Sequence, residues 1–274
     1  MRIALASDAC APQTNGVVTT LKATAQALAT LGHQVCVLSP QTLACVPCPS
    51  LRARWPIPLG LTYAWLRRFH GAAVRTFVSS RTLEVQLAPH GFGNLHLWRR
   101  GVDTRRFRPN GGARPELAGL KRPIIARLAA RYPDALFMGF RHGEELAALV
   151  ASADVLVFPS LTDTFGLVML EALACGVPVA AFPVPGPLDV VEPDVTGVLH
   201  TDLATAITSA LRLDRRTCAQ HAARCSWEEA TAQFVAGLVP IPTALRARLA
   251  ASRSFAMIAR KPARRQTSGA GESL

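Results

Sequence analysis

A chain of 274 residues is long enough for one large domain or two small ones, and with 50% hydrophobic and 18% charged residues it is excluded from the disordered class and folds around a core. Its formal charge of +12, from 30 Lys and Arg against 18 Asp and Glu, suits an anionic partner: nucleic acid, anionic lipid or a phosphorylated substrate. Aromatics are only 6% and no recognised RNA- or DNA-binding motif accompanies the basic residues, so no nucleic-acid partner is expected.

Residues 2–7 (RIALAS) read as a short buried strand. After a loop, Val17, Leu21, Ala25, Leu28 and Leu31 recur at helical spacing, with Asn15 placed to cap that helix and Gly32 to end it. Residues 33–38 read as the next strand, a β-α-β start that favours a parallel sheet. Residues 39–57 hold four prolines and no clean period. A helix is expected over 58–75, a strand at 75–79, a short helix at 83–90 and a strand at 95–98. Residues 101–109 (GVDTRRFRP) read as a loop between domains. The alternation resumes with a strand at 135–138, a helix at 144–151, a strand at 155–158, a helix at 166–175 closed by Gly176, and a strand at 179–182. Helices at 203–211 and 227–238 follow.

Three features of the chain carry expectations of their own. Residues 165–186 have Glu171 as their sole charge, yet Gly176, Pro178, Pro183 and Pro185 divide them into helix, turn and strand rather than a membrane span. Seven Cys, an odd number, and an N-terminus without the regions of a signal peptide suggest a reduced, cytoplasmic protein. Residues 241–274 form a basic tail in which seven Arg or Lys face one acid, Glu272. Such a tail is either a solvated terminus or a contact for anionic lipid.

Chemistry concentrates at SLTDTFGLVMLEALACGVPVA, residues 160–180. A strand ends at Ser160, polar Thr162, Asp163 and Thr164 follow, and Gly166 opens a helix. In open α/β sheets ligands bind beyond the carboxyl ends of strands, and a helix N-terminus offers free N–H groups and a positive dipole end to phosphate. Glu171, one and a half turns in, is placed to accept hydrogen bonds from a ribose diol. The residues alone leave another account open, in which Thr164 caps the helix and Glu171 is one of its ordinary acids.

The segment resembles the donor site of the large retaining glycosyltransferase family four, which has the GT-B fold and reads E-x-F-G-L-x-x-x-E-A-x-A-x-G-x-P-V there. Asp163 stands where that family has its first Glu, and Phe165, Gly166, Leu167, Glu171, Ala172, Ala174, Gly176, Pro178 and Val179 match. The resemblance implies that Asp163 touches the donor sugar hydroxyls and Glu171 the ribose. It further implies that the backbone of Thr164, Phe165, Gly166, Leu167 and Val168 holds phosphate and sugar. PQTNGVVTTL, residues 12–21, resembles the family's N-terminal glycine loop, which would set Asn15 and Gly16 facing acceptor and donor across the cleft. Gly101, Val102, Asp103, Phe107 and Pro109 resemble the entry to the second domain, and Pro185-Gly186-Pro187 and Thr196-Gly197 match later turns. The wording is most similar to GDP-mannose-dependent α-mannosyltransferases of bacterial lipid and glycolipid synthesis.

What this implies is an α/β, GT-B-like fold of two Rossmann-like parallel-sheet domains, the N-terminal one truncated. Residues 1–103 would be the acceptor side, 104–240 the nucleotide-sugar domain, shortened internally, and 241–274 the tail. The implied activity is retaining transfer of a hexose, mannose from GDP-mannose, to a lipid or glycan acceptor, with no cofactor and no metal. Asp189 and Asp194 are too far apart to form a metal pair. The enzyme would be cytoplasmic, peripheral on the inner membrane face through its tail. Two departures qualify this. The family's G-R-x-x-x-x-K loop for the diphosphate has no counterpart, since Arg122 and Arg127 bracket an apolar stretch rather than follow it. A His-containing loop near the acceptor is also missing, and His70 reads as a helix end. The alternative is therefore an inactive, internally deleted remnant that at most binds a sugar nucleotide.

Overall fold

A computed structural model describes residues 2–6, 16–38, 59–109, 138–139, 141–161 and 165–240. Residues Met1–Gly237 form one compact unit and Leu238–Leu274 a second, and every element below lies in the first. Asn15, Asp163, Thr164, the Arg122 and Arg127 pair, the tail 241–274 and all but Met138 of the strand expected at 135–138 lie outside the described residues.

Strand β1 (Arg2–Ala6), helix α1 (Gly16–Thr30) and strand β2 (Gln34–Leu38) make the expected β-α-β unit. The strands pair in parallel, Arg2 opposite Gln34 and Ala6 opposite Leu38. Gly32 ends α1 as expected: at φ +78° its N–H donates to the Ala29 carbonyl at 3.0 Å, and the His33 N–H donates to that of Leu28. The buried face differs from the apolar stripe. Val18, Thr20, Thr24 and Leu28 are buried, while Val17 and Leu31 are 48% and 55% exposed. Threonine packs through its methyl group, so a face that is half threonine is invisible to a search for apolar residues.

Helix α2 (Leu59–Gly71) leads to β3 (Thr76–Val78), α3 (Arg81–Leu87) and β4 (Leu95–Leu97), with β3 and β4 again parallel. The single helix expected at 83–90 starts earlier and stops earlier. Ser80 caps α3 through its Oγ, which accepts from the Leu83 N–H at 3.1 Å, and beyond Leu87 the chain tightens into a 3₁₀ turn containing Pro89.

The second half holds α4 (Gly143–Ala151), β5 (Leu156–Phe158), α5 (Leu167–Ala174), β6 (Val179–Ala181), α6 (Pro187–Val190), β7 (Gly197–Leu199), α7 (Leu203–Ala210), α8 (Arg215–Ala223) and α9 (Trp227–Gly237). Strands β5, β6 and β7 form one parallel sheet with β6 central and buried throughout. The apolar run 165–186 is thus a helix, a turn and a strand, and no helix among the described residues is long and apolar enough to cross a membrane. The core of this half joins Met169, Leu170 and Leu173 of α5 to Val102, Phe107 and Val179.

The last helix returns to the first half. Phe234 of α9 lies 5.0 Å from Phe77 and 4.7 Å from Trp98, ring centre to ring centre. Trp98 Nε1 donates to the Ala230 carbonyl at 3.0 Å, and Arg75 Nη1 donates to that of Gly237 at 2.8 Å. Gly101 permits the approach: a Cβ there would stand 2.6 Å from the Trp227 Cα. The described residues are α/β with parallel sheets throughout.

Candidate functional site

Helix α5 is almost wholly apolar and is buried accordingly: Met169, Leu170, Ala172, Leu173 and Ala174 all lie inside. Its N-cap is Gly166, at φ +71°, with no side-chain cap hydrogen bond. A positive φ is natural to glycine, and whether Thr164 caps the helix lies outside the described residues. Phe165 is turned into the core and Val168 is half-buried.

Leu167 and Glu171, one turn apart, line a cavity of about 590 Å³. Its other walls are α1, the 101–107 loop and the start of α9, including Lys22, Arg105, Arg106 and Thr231. Gly16 opens α1 but is not among the lining residues; α1 contributes Thr19, Lys22 and Gln26 instead. Burial pushes the Glu171 carboxyl up from 4.5 to about 7, and the nearby Arg106 guanidinium opposes the shift. At neutral pH this carboxyl is balanced between hydrogen-bond donor and double acceptor.

The 101–107 loop is anchored rather than slack. Val102 donates to the Cys225 carbonyl at 2.8 Å, and Asp103 Oδ1 accepts from the backbone of Arg105 and Arg106 at 3.2 Å each. Arg106 lies 3.7 Å from Asp103 and 3.5 Å from Glu144, and Arg105 3.5 Å from Glu228. These exposed pairs add little stability, and their weakness leaves both guanidinium groups available to an incoming anion. Thr231 is fully buried, and its Oγ1 has no hydrogen-bond partner.

The sequence reading missed Lys22, Arg105, Arg106 and Thr231. The two arginines sit inside a motif it quoted, so the signal was present; Thr231 had none. His70 ends α2, as expected: its carbonyl accepts from Asn94 Nδ2 at 3.0 Å, and it does not line the cavity. Asp189 also has a structural post, accepting the Thr82 N–H at 2.9 Å.

A glycine-opened helix after a parallel strand, with a carboxylate about one and a half turns in, is the arrangement the sequence segment led us to expect, whereas the cations opposite were not expected. Residues 103–213 match the model of a family described as glycosyl transferases group 1. The matched region begins at Asp103, inside the anchored loop, and includes α5. Over 191 residues the chain is 33% identical to a GDP-mannose-dependent alpha-mannosyltransferase of Mycobacterium tuberculosis, covering 55% of this chain and 50% of that protein. It is 37% identical over 142 residues to a D-inositol 3-phosphate glycosyltransferase of Salinispora arenicola, covering 46% of this chain and 31% of that one. The chain thus spans about half the length, or less, of the curated relatives it matches. Among solved structures, sucrose-phosphate synthase from Thermosynechococcus elongatus superposes with a TM-score of 0.63 at 19% identity, covering 92% of this chain and 100% of that one. Anabaena Alr3699/HepE in complex with UDP-glucose gives 0.61 at 14%, covering 87% and 100%. The matched region and the elements before it therefore share the GT-B fold.

Proposed function

We propose that this chain is a retaining glycosyltransferase that moves a hexose, mannose from GDP-mannose, to a lipid or glycan acceptor. The observation that carries the reading is that Glu171, Arg106 and Lys22 line one cavity beside the first turns of α5. Glu171, once ionised, accepts from the ribose diol, and the backbone of Phe165 to Val168 receives phosphate and sugar. Asp163, by its place in the motif, meets the sugar hydroxyls. Catalysis comes from holding donor and acceptor together and from stabilising the departing diphosphate by the α5 dipole and nearby cations. The names of the mannosyltransferase relatives support GDP-mannose as donor. A cytoplasmic enzyme meeting a lipid acceptor fits the basic tail, and loss of vesicle binding on removing residues 241–274 is the outcome that reading requires.

The test is turnover of labelled GDP-mannose by the purified chain with a lipid extract as acceptor. Transfer comparable to a full-length relative, lost in Glu171→Ala, supports it. The chain's short span of its relatives favours a second reading, binding without transfer. Calorimetry separates the two: GDP heat that Glu171→Ala removes, with no turnover, selects binding alone, and no heat at all sinks both.

A further inference from the structure

The ion pairs of this chain fall into two kinds. At the starts of α3 and α4 they are closed: Arg81 meets Glu84 at 2.7 Å and Arg141 meets Glu145 at 2.6 Å, each a charge-assisted hydrogen bond. Around the cavity they are open. Arg105 lies 3.5 Å from Glu228, and Arg106 lies 3.5 Å from Glu144 and 3.7 Å from Asp103, which is attraction without a hydrogen bond. Lys22, on the α1 face that also turns Thr19 and Gln26 to the cavity, has no ion pair among the described residues. Thr231 lines the same cavity with a buried hydroxyl that has no hydrogen-bond partner among the described residues.

A guanidinium in an open pair keeps its donors for a better acceptor, and a diphosphate offers more charge and more oxygens than one carboxylate. We propose that Arg105, Arg106 and Lys22 clamp a diphosphate in this cavity, with the Thr231 hydroxyl donating to it, and that Glu144 and Glu228 hold the two arginines only while the cavity is empty. The inference rests on reading the cavity as the donor site and names what holds the donor's charged centre. The backbone of the clamp is already set. Asp103 Oδ1 fixes the turn, and the Phe107 N–H donates to the Asp103 carbonyl at 2.8 Å, so only side chains must rotate. The acids lose little in the exchange. Glu144 lies in the first turn of α4 and Glu228 in that of α9, where the helix dipole favours a carboxylate with or without its arginine. The clamp draws on α1 and the 101–107 loop, and so replaces from other elements the G-R-x-x-x-x-K loop that the sequence lacks.

The test is calorimetry of GDP, guanosine and inorganic pyrophosphate on the full chain. Arg105→Ala and Arg106→Ala should each weaken GDP and pyrophosphate roughly tenfold and leave guanosine unchanged. Glu228→Gln should tighten GDP roughly two- to fivefold, a gain that no folding defect produces. That gain should vanish when Arg105→Ala is also present, because the glutamate then has no arginine to withhold. A gain that persists there is plain charge repulsion and overturns the exchange. GDP binding that Glu171→Ala abolishes but Arg105→Ala/Arg106→Ala leaves intact overturns the clamp and keeps the donor reading. Pyrophosphate binding that the double arginine variant abolishes, with no heat from GDP, supports the clamp and removes the donor reading. No heat from either ligand overturns both.

Discussion

Glu171 is the one charged residue on α5, and its burial has a consequence for pH. Between about pH 4.5 and 7 the folded chain keeps a proton there that the unfolded chain gives up. Stability contributed by that proton is therefore lost as pH rises through this window, and Glu171→Gln should remove the slope and raise the melting temperature above pH 7. Donor binding should act the other way. A diol that donates to the carboxylate favours its ionised form, so binding near neutrality should release a proton and tighten as pH rises. Calorimetry of GDP binding in buffers of different ionisation heat measures this directly; proton uptake would contradict the role. Glu171 was legible because its spacing from Phe165 and Gly166 is set by one helix. Lys22 and Thr231 were not, because they reach the cavity from α1 and α9, and neither carries a mark of its partner in its local sequence.

Elements α6, β7 and α8 escaped the sequence reading for different reasons. The α8 segment RRTCAQHAA buries only Cys218 and Ala222, too few and too small to make an apolar stripe. Its true signal is the cap, Asp214, whose carboxylate accepts from the Arg216 and Thr217 N–H groups. At β7 and α6 the reading saw turns, since three- and four-residue elements give no period to detect. Short α6 nonetheless has a distant task. The Asp189 carboxylate accepts the Thr82 N–H at 2.9 Å, so it caps α3 from across the chain alongside Ser80. Asp189→Ala should cost about 1–2 kcal/mol, read by urea denaturation, with Asp189→Asn recovering most of it.

At the scale of the molecule, the parallel β-α-β pattern and the donor-site segment were legible, because both rest on local periodicity and spacing. The aromatic cluster of Phe77, Trp98 and Phe234 was not, since it joins residues with no local link. Phe234 is only 7% exposed, so Phe234→Ala should destabilise the chain by about 3–5 kcal/mol, measured by thermal or denaturant unfolding. An effect under 1 kcal/mol would mean that α9 is not a structural clamp.

The return of α9 also bears on how the chain is made. The Ala230 carbonyl that satisfies the Trp98 indole is encoded 132 residues later. A growing chain therefore leaves the ribosome with Phe77 and Trp98 uncovered, and β3 and β4 wait for their shelter until the end of α9 has been synthesised. A chain cut short before Trp227 would lack the Phe234 ring and the Ala230 carbonyl that cover them, and should show more rapid limited proteolysis around β3 and β4 than the full chain.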